Sequence, residues 1–175
     1  MSDLQGPDGA SGRPGQGRVT IAAGDETKCA ARLILNYLTD TNAVSDYFRG
    51  EQAVREWFAG HKGEIGLSTI TMAEIRRGIE LKVESKARRE LEKHFRFALE
   101  DYRVAIFVFD EAAAVEWGRL MAQMRNHPLP YDDSLIAAIA RSADLRVITR
   151  NAKHFPACRT VDAWTGKETA AWIPP

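Results

Sequence analysis

The chain is 175 residues long, balances 24 Lys plus Arg against 24 Asp plus Glu, and is 45% hydrophobic and 27% charged. That describes an ordinary globular domain and excludes a fibrous or wholly disordered chain. Zero formal charge excludes nucleic-acid binding by bulk positive charge, so any such binding has to be local and built from a site. No run approaches the ~18 apolar residues that a membrane span needs.

Residues 1–28 hold Gly6, Gly9, Gly12, Gly15, Gly17 and Gly24 with Pro7 and Pro14, and almost no large apolar side chain. Such a stretch cannot bury enough surface to offset its ordering entropy, and it reads as a disordered tail. It lacks the basic and apolar regions of a secretory signal. Cys29 and Cys158 form no CxxC pair, so the chain reads as a cytoplasmic protein with two unpaired thiols.

The folded part is expected over residues 30–165, with a short tail at 166–175. The run Arg32 to Leu38 reads as a buried strand, although Asn36 sits inside it. Thr39-Asp40-Thr41-Asn42 follows with loop and N-cap chemistry. Val44 to Phe48 and Ala53 to Phe58 read as two short helices broken at Gly50. Glu64 to Ser68 reads as a second strand, weakened by Gly66. Thr69 to Lys82 is helical. It carries Met72, Ile75 and Ile79 on one side and Ile70 with Leu81 on the other, which places Glu74 in a partly enclosed position.

Glu84 to Tyr102 is a longer helix with a stripe at Ala87, Leu91, Phe95, Ala98 and Tyr102. Val104 to Val108 is a third strand, and Asp110 caps the helix after it. Tyr131 to Ala143 is a helix apolar over most of its circumference. Arg146 to Thr149 is a fourth strand, Arg150 to Lys153 a turn, and Arg159 to Val161 a fifth, edge strand. Strands separated by helices require crossovers, hence a largely parallel sheet covered on both faces.

Ligands of such sheets sit beyond the carboxyl ends of the strands. Asp40 and Asn151 fall directly after strands, Glu74 lies in the helix after the second strand, and Asp132 and Asp133 open the helix before the fourth. Asp40 also suits a plain helix cap, and an acidic pair suits a helix N-terminus. The helical wheel does not choose between Asp132 and Asp133. Carboxylates gathered on one rim repel each other unless a divalent cation neutralises them, and hard oxygen ligands without Cys or His indicate Mg²⁺ or Mn²⁺. The sequence holds no HExxH, Walker A, GxGxxG or G-x-S-x-G pattern.

The motif order resembles the PIN-domain ribonucleases, specifically the VapC toxins of bacterial toxin–antitoxin pairs. The matching segments are Asp40-Thr41-Asn42, then Ser68 to Glu74 with Arg76-Arg77-Gly78, then Asp133 to Ala138, then Ile148 to Phe155. The resemblance implies a three-layer α/β/α fold with a four- to five-stranded, mainly parallel sheet. It also implies Mg²⁺- or Mn²⁺-dependent endonucleolytic cleavage of RNA, leaving 5′-phosphate and 3′-hydroxyl ends. Carried over by position, Asp40, Glu74 and Asp133 are the acidic metal ligands. The motif thereby prefers Asp133 to Asp132. Asn151 stands where many members have Asp, as a neutral oxygen ligand, and His154 also departs from a common Asp. Thr41, Asn42 and Ser68 are expected to orient a carboxylate or a water, and Arg150 and Lys153 to contact phosphate. The implied partners are RNA, a second copy of the chain and a VapB-type antitoxin, one mode of inhibition being an antitoxin Arg in the acidic pocket.

Residues 76–96 hold eight Lys or Arg against four Glu, which suits either a phosphate track or a solvated helix with pairs such as Glu84–Arg88. The competing readings are a phosphoacceptor domain of receiver type, a non-catalytic PIN-like interaction module and an RNA-processing nuclease without an antitoxin. A receiver needs its acidic pair after the first strand, which this sequence does not supply.

Overall fold

The computed structural model describes residues 19–20, 35–101 and 105–172. Their strands form a single sheet: β1 (Val19–Thr20), β2 (Tyr37–Thr39), β3 (Ile65–Ser68), β4 (Ala105–Phe107), β5 (Arg146–Ile148), β6 (Thr160–Val161) and β7 (Glu168–Thr169), in the order β1-β4-β3-β2-β5-β6-β7. The five inner strands are parallel, and the two-residue outer strands β1 and β7 pair antiparallel to β4 and β6. The sheet is thus wider than the four to five strands expected, although its parallel part has five. Thr160–Val161 is an inner strand rather than an edge, because a turn at residues 162–166 returns the chain as β7. The sheet therefore runs into the segment set apart as a tail at 166–175. At the other edge, β1 lies within the segment 1–28 expected to be disordered; the remaining residues of that segment, and Cys29 after it, lie outside the described ones.

The helices are α1 (Thr41–Arg49), α2 (Gln52–Gly60), α3 (Thr69–Glu80), α4 (Lys86–Asp101), α5 (Glu111–Gln123) and α6 (Tyr131–Ser142). Three of them start where a side chain satisfies an otherwise orphaned N–H: Asp40 accepts from Ala43 N, Ser68 from Thr71 N and Asp110 from Ala113 N. Gly50 closes α1 at φ 86°, a left-handed conformation suited to glycine, so the break between α1 and α2 is local.

Period-2 alternation places β2 between two cores. Leu38 points with Val147 toward α5 and α6, where Ala113, Leu120, Ile136, Ala137 and Ala140 are buried. Tyr37 points with Ile148 toward α1 and α2, where Val54 and Phe58 are buried. A third cluster joins Leu67 to Val44, Phe48, Ile75 and Ile79, with Leu91 and Phe95 of α4 laid over it. The three-layer α/β/α arrangement follows from that double coverage.

Three local expectations change. Asn36 lies before the strand rather than in it; its amide donates to Glu64 Oε2 at 2.6 Å, and β2 starts at Tyr37. Gly66 belongs to its strand for a steric reason, since a Cβ there would stand 2.4 Å from the Phe107 ring. Leu81, expected to complete a second apolar side of α3, is 72% exposed because the helix ends at Glu80. Cys158 is a free, buried thiol whose burial pushes its pKa up to about 12, so it is inert as a nucleophile.

Candidate active site

The strand order fixes where a site can lie. From β2 the chain moves outward through β3 to β4, then returns to the other side of β2 as β5. The order of strand addition therefore reverses between the parallel neighbours β2 and β5, and a crevice opens beyond their carboxyl ends. Asp40 follows β2 at that point, and its backbone N–H donates to Ile148 O at 3.1 Å. Glu74 is carried there by α3, which springs from β3. Asp132 and Asp133 are carried there by the first turn of α6, which Pro130 initiates without a side-chain cap.

Asp40 is 2% exposed. Burial pushes its carboxyl up to about 6; the Ala43 N–H and the side chains of Thr149 and Asn42 pull it back, and Asp133 raises it again. Glu74 is half-buried and likewise raised, chiefly by burial. The Thr41 hydroxyl, which donates to Glu74 Oε2, opposes the shift, while Asp132 and Asp133 add to it. Asp133 is raised by burial too, against His154, whose Nδ1 lies 3.0 Å from Asp133 Oδ2, and together with Asp132. Carboxylates from α1, α3 and α6 thus act on one another across the crevice.

Among the described residues, no three His, Cys, Asp or Glu side chains are closed into metal-holding geometry. Each carboxylate is held by its own neighbour: Asp40 by the α1 cap, Glu74 by Thr41 and Asp133 by His154. The donor set still fits a hard divalent cation. It consists of oxygens that are partly desolvated, mutually repelling and costly to keep charged without a counter-ion.

This is the site of a fold with known relatives. A family model for the PIN domain matches residues 37–158. The chain belongs to the PIN-domain family. The PIN domain is 33% identical over 138 residues to the plasmid stability protein StbB of Pseudomonas syringae pv. tomato, covering 73% of this chain and 97% of that one. It is 27% identical over 127 residues to the tRNA(fMet)-specific endonuclease VapC of Shigella flexneri, covering 70% and 91%. Among solved structures, DNA-bound VapBC from Salmonella typhimurium aligns with a TM-score of 0.65 at 26% identity, over 73% of this chain and 98% of that one. The expected VapC-like fold is therefore present, and the family match, residues 37–158, begins after the glycine-rich N-terminal stretch.

Within the PIN domain the other expected residues divide. Thr41 touches Glu74, Asn42 acts on Asp40, and half-buried Asn151 sits where β5 ends, its N–H held by Thr149 Oγ1 at 2.9 Å. Ser68 does not reach the carboxylates. Its hydroxyl caps α3 and meets Thr71 Oγ1 at 2.9 Å, and Thr71 in turn donates to Thr39 O, so this group ties α3 to the central strand. Arg150 is engaged with Asp46 and the Trp164 ring, whereas Lys153 is exposed. Sequence reasoning passed over Thr149 and set Asp132 aside in favour of Asp133 on the motif resemblance alone. Thr149 was visible as a polar residue ending an apolar strand. The structure gives the two aspartates different neighbours, with Asp132 against Glu74 and Asp133 between Asp40 and His154.

Proposed function

We propose that this PIN domain is a Mg²⁺- or Mn²⁺-dependent endoribonuclease and the toxin of a toxin–antitoxin pair. The observation that carries this reading is the set of desolvated, mutually repelling carboxylates of Asp40, Glu74 and Asp133 at the β2/β5 switch point. Asp40, Glu74 and Asp133 would hold the ion, with Asn151 adding a neutral oxygen. When bound, such an ion supplies Lewis acidity toward a phosphate oxygen and a more acidic water.

The protein's own groups do the rest. The α1 cap fixes Asp40, so its position does not depend on the ligand. Thr41 holds Glu74 and favours its charged form at neutral pH. His154 does the same for Asp133. Asp132, close to Glu74, concentrates negative charge on the α3 side of the rim and makes that side the more dependent on a counter-ion.

Similarity to the tRNA(fMet)-specific endonuclease VapC of Shigella flexneri and to the DNA-bound VapBC complex of Salmonella typhimurium supports RNA and an antitoxin as partners. A cleft of about 610 Å³ between α1, α3 and α4 suits the antitoxin. Phe48, Ile75 and Leu91 give it apolar walls, and Glu74 and Thr41 line it as well. A cationic side chain on a bound helix would reach the carboxylates from there. A second copy of the chain completes the expected assembly.

The test is cleavage of an end-labelled total RNA pool with Mg²⁺, with Mn²⁺ and with EDTA, using wild type and Asp133→Ala. Metal-dependent cleavage that falls at least ~10²-fold in the variant supports the reading. Cleavage that survives both EDTA and the substitution rejects it. Co-expression with a candidate VapB-type antitoxin distinguishes a toxin, whose growth inhibition is relieved, from a processing nuclease.

A further inference from the structure

On the flank of the acidic rim, between α1 and the β6–β7 turn, one cation is stacked closely on an indole ring. Arg150 immediately follows Thr149, which acts on Asp40, and precedes Asn151. Its guanidinium carbon lies 4.0 Å from the centroid of the Trp164 ring. Its Nη1 is 3.6 Å from Asp46 Oδ2, too far for a good hydrogen bond, and the side chain remains 53% exposed. Asp46 is committed elsewhere: its Oδ1 accepts from Arg49 Nη1 at 2.9 Å. Arg150 therefore keeps most of its donors open while its plane is fixed from one side.

Trp164 is well anchored for that task. Its backbone N–H donates to Asp162 Oδ1 at 2.8 Å, and its ring packs on the cluster of Tyr37, Val54, Phe58, Ile148 and Val161. The indole N–H is buried without a hydrogen-bond partner, so the ring is placed by packing rather than by its polar atom. Asp46 lies six residues beyond Asp40 on α1, roughly 9 Å along the helix. The Arg150 guanidinium thus stands beside the carboxylate centre rather than inside it.

Resting on the nuclease reading above, we infer that Arg150 stacked on Trp164 is a binding subsite for a phosphate of the RNA strand adjacent to the one cleaved, and that Asp46 is the counter-ion this phosphate displaces. A planar, always charged fork matches a phosphate with two parallel N–H bonds, and a preset plane reduces the ordering cost of forming them. A loose pair with a carboxylate already shared with Arg49 is readily exchanged. The subsite also answers a problem set by the rim, which repels a polyanion: one oriented cation at its border draws the strand in. Trp164 and Asp46 act through Arg150 and are positioning residues.

The experiment uses the full chain and a 5′-fluorescein-labelled, mixed-sequence single-stranded RNA. Anisotropy in EDTA over a salt titration reads binding, and KM and kcat in Mg²⁺ read cleavage. Arg150→Ala is expected to weaken binding about tenfold and to reduce the salt slope by ~0.7, the loss of one phosphate contact. KM should rise about tenfold with kcat within about twofold. Arg150→Lys keeps the charge and loses the fork, and should fall about threefold short of wild type. Trp164→Phe retains an aromatic face and should lose about two- to fourfold, while Asp46→Asn should tighten binding about threefold. If the Trp164 variant does not fold, Arg150→Lys and Asp46→Asn decide alone. Unchanged binding and KM in Arg150→Ala, a fall in kcat alone, or weaker binding in Asp46→Asn overturns the inference. RNA held through Arg150 but never cut in Mg²⁺ would reject the nuclease reading and leave the subsite standing.

Discussion

Two charged regions of this molecule obey opposite rules. On the surface of α3 and α4, acids and bases interleave: Arg76 pairs with Glu80 and Glu92, Arg88 with Glu80 and Glu84, Arg89 with Glu84, and Arg96 with Glu92. Signs alternate, water reaches the groups, and each pair contributes little. At the β2/β5 rim, charges of one sign meet out of water, and burial lifts the carboxyls of Asp40, Glu74 and Asp133. The richer tally of basic residues in 76–96 marks solvation, and the smaller, apparently unfavourable cluster marks the site. Charge informs about function when it is desolvated and uncompensated.

The strongest break of that contrast is Asp40→Asn. Asn still accepts the Ala43 N–H, so the α1 cap survives while the charge is lost. Cleavage should fall by at least ~10²-fold. Metal-free stability should move the opposite way. A carboxyl raised from 3.8 to about 6 binds more protons folded than unfolded, so its contribution is fully present below pH 3.8 and is lost as pH rises through about 6. By this linkage the charged Asp40 costs the fold about 3 kcal/mol at neutral pH. Urea unfolding in EDTA between pH 4 and pH 8 should show wild type losing stability across that window and the variant staying flatter. Parallel curves would show that Asp40 is not strained by its charge.

The next effect is pH on metal affinity. All three carboxyls are raised, Asp40 to about 6, so protons compete with the ion in acid, and Mg²⁺-dependent thermal stabilisation should weaken as pH falls through the Asp40 value. A stabilisation constant down to pH 4.5 would contradict it. Smaller still is His154→Ala. Removing the group that lowers Asp133 should let that carboxyl climb further and shift the acid limb of the rate profile to higher pH, with a several-fold loss of cleavage at pH 6 and less at pH 8. The smallest change belongs to the other region: Glu84→Gln, which loses two exposed pairs, should alter stability by less than about 1 kcal/mol and leave cleavage unchanged.

Most elements were legible because their signals are local. Asp40 and Asp110 announce helix starts, and Ala105–Phe107 and Arg146–Ile148 are apolar runs between polar ends. The Glu84–Arg88 pair expected of a solvated α4 is present at 3.7 Å. What stayed hidden depended on chain segments far away. Gly66 looked like a weakness until Phe107 was seen crossing it. Thr160–Val161 looked like an edge until β7 returned beside it. Ser68 looked like a partner of the carboxylates until Thr71 and Thr39 were found beside it.

By itself, then, the sequence determined the kinds of element, their caps and the residue types available at each strand end, because backbone propensity and hydrophobic period act over a few residues. Only the tertiary structure decided that β5 lies beside β2, which of two adjacent aspartates faces Asp40, and that Arg150 rests on Trp164. Those outcomes depend on crossover geometry and on side-chain packing between segments more than a hundred residues apart, such as Asp46 and Arg150, and no local pattern encodes them.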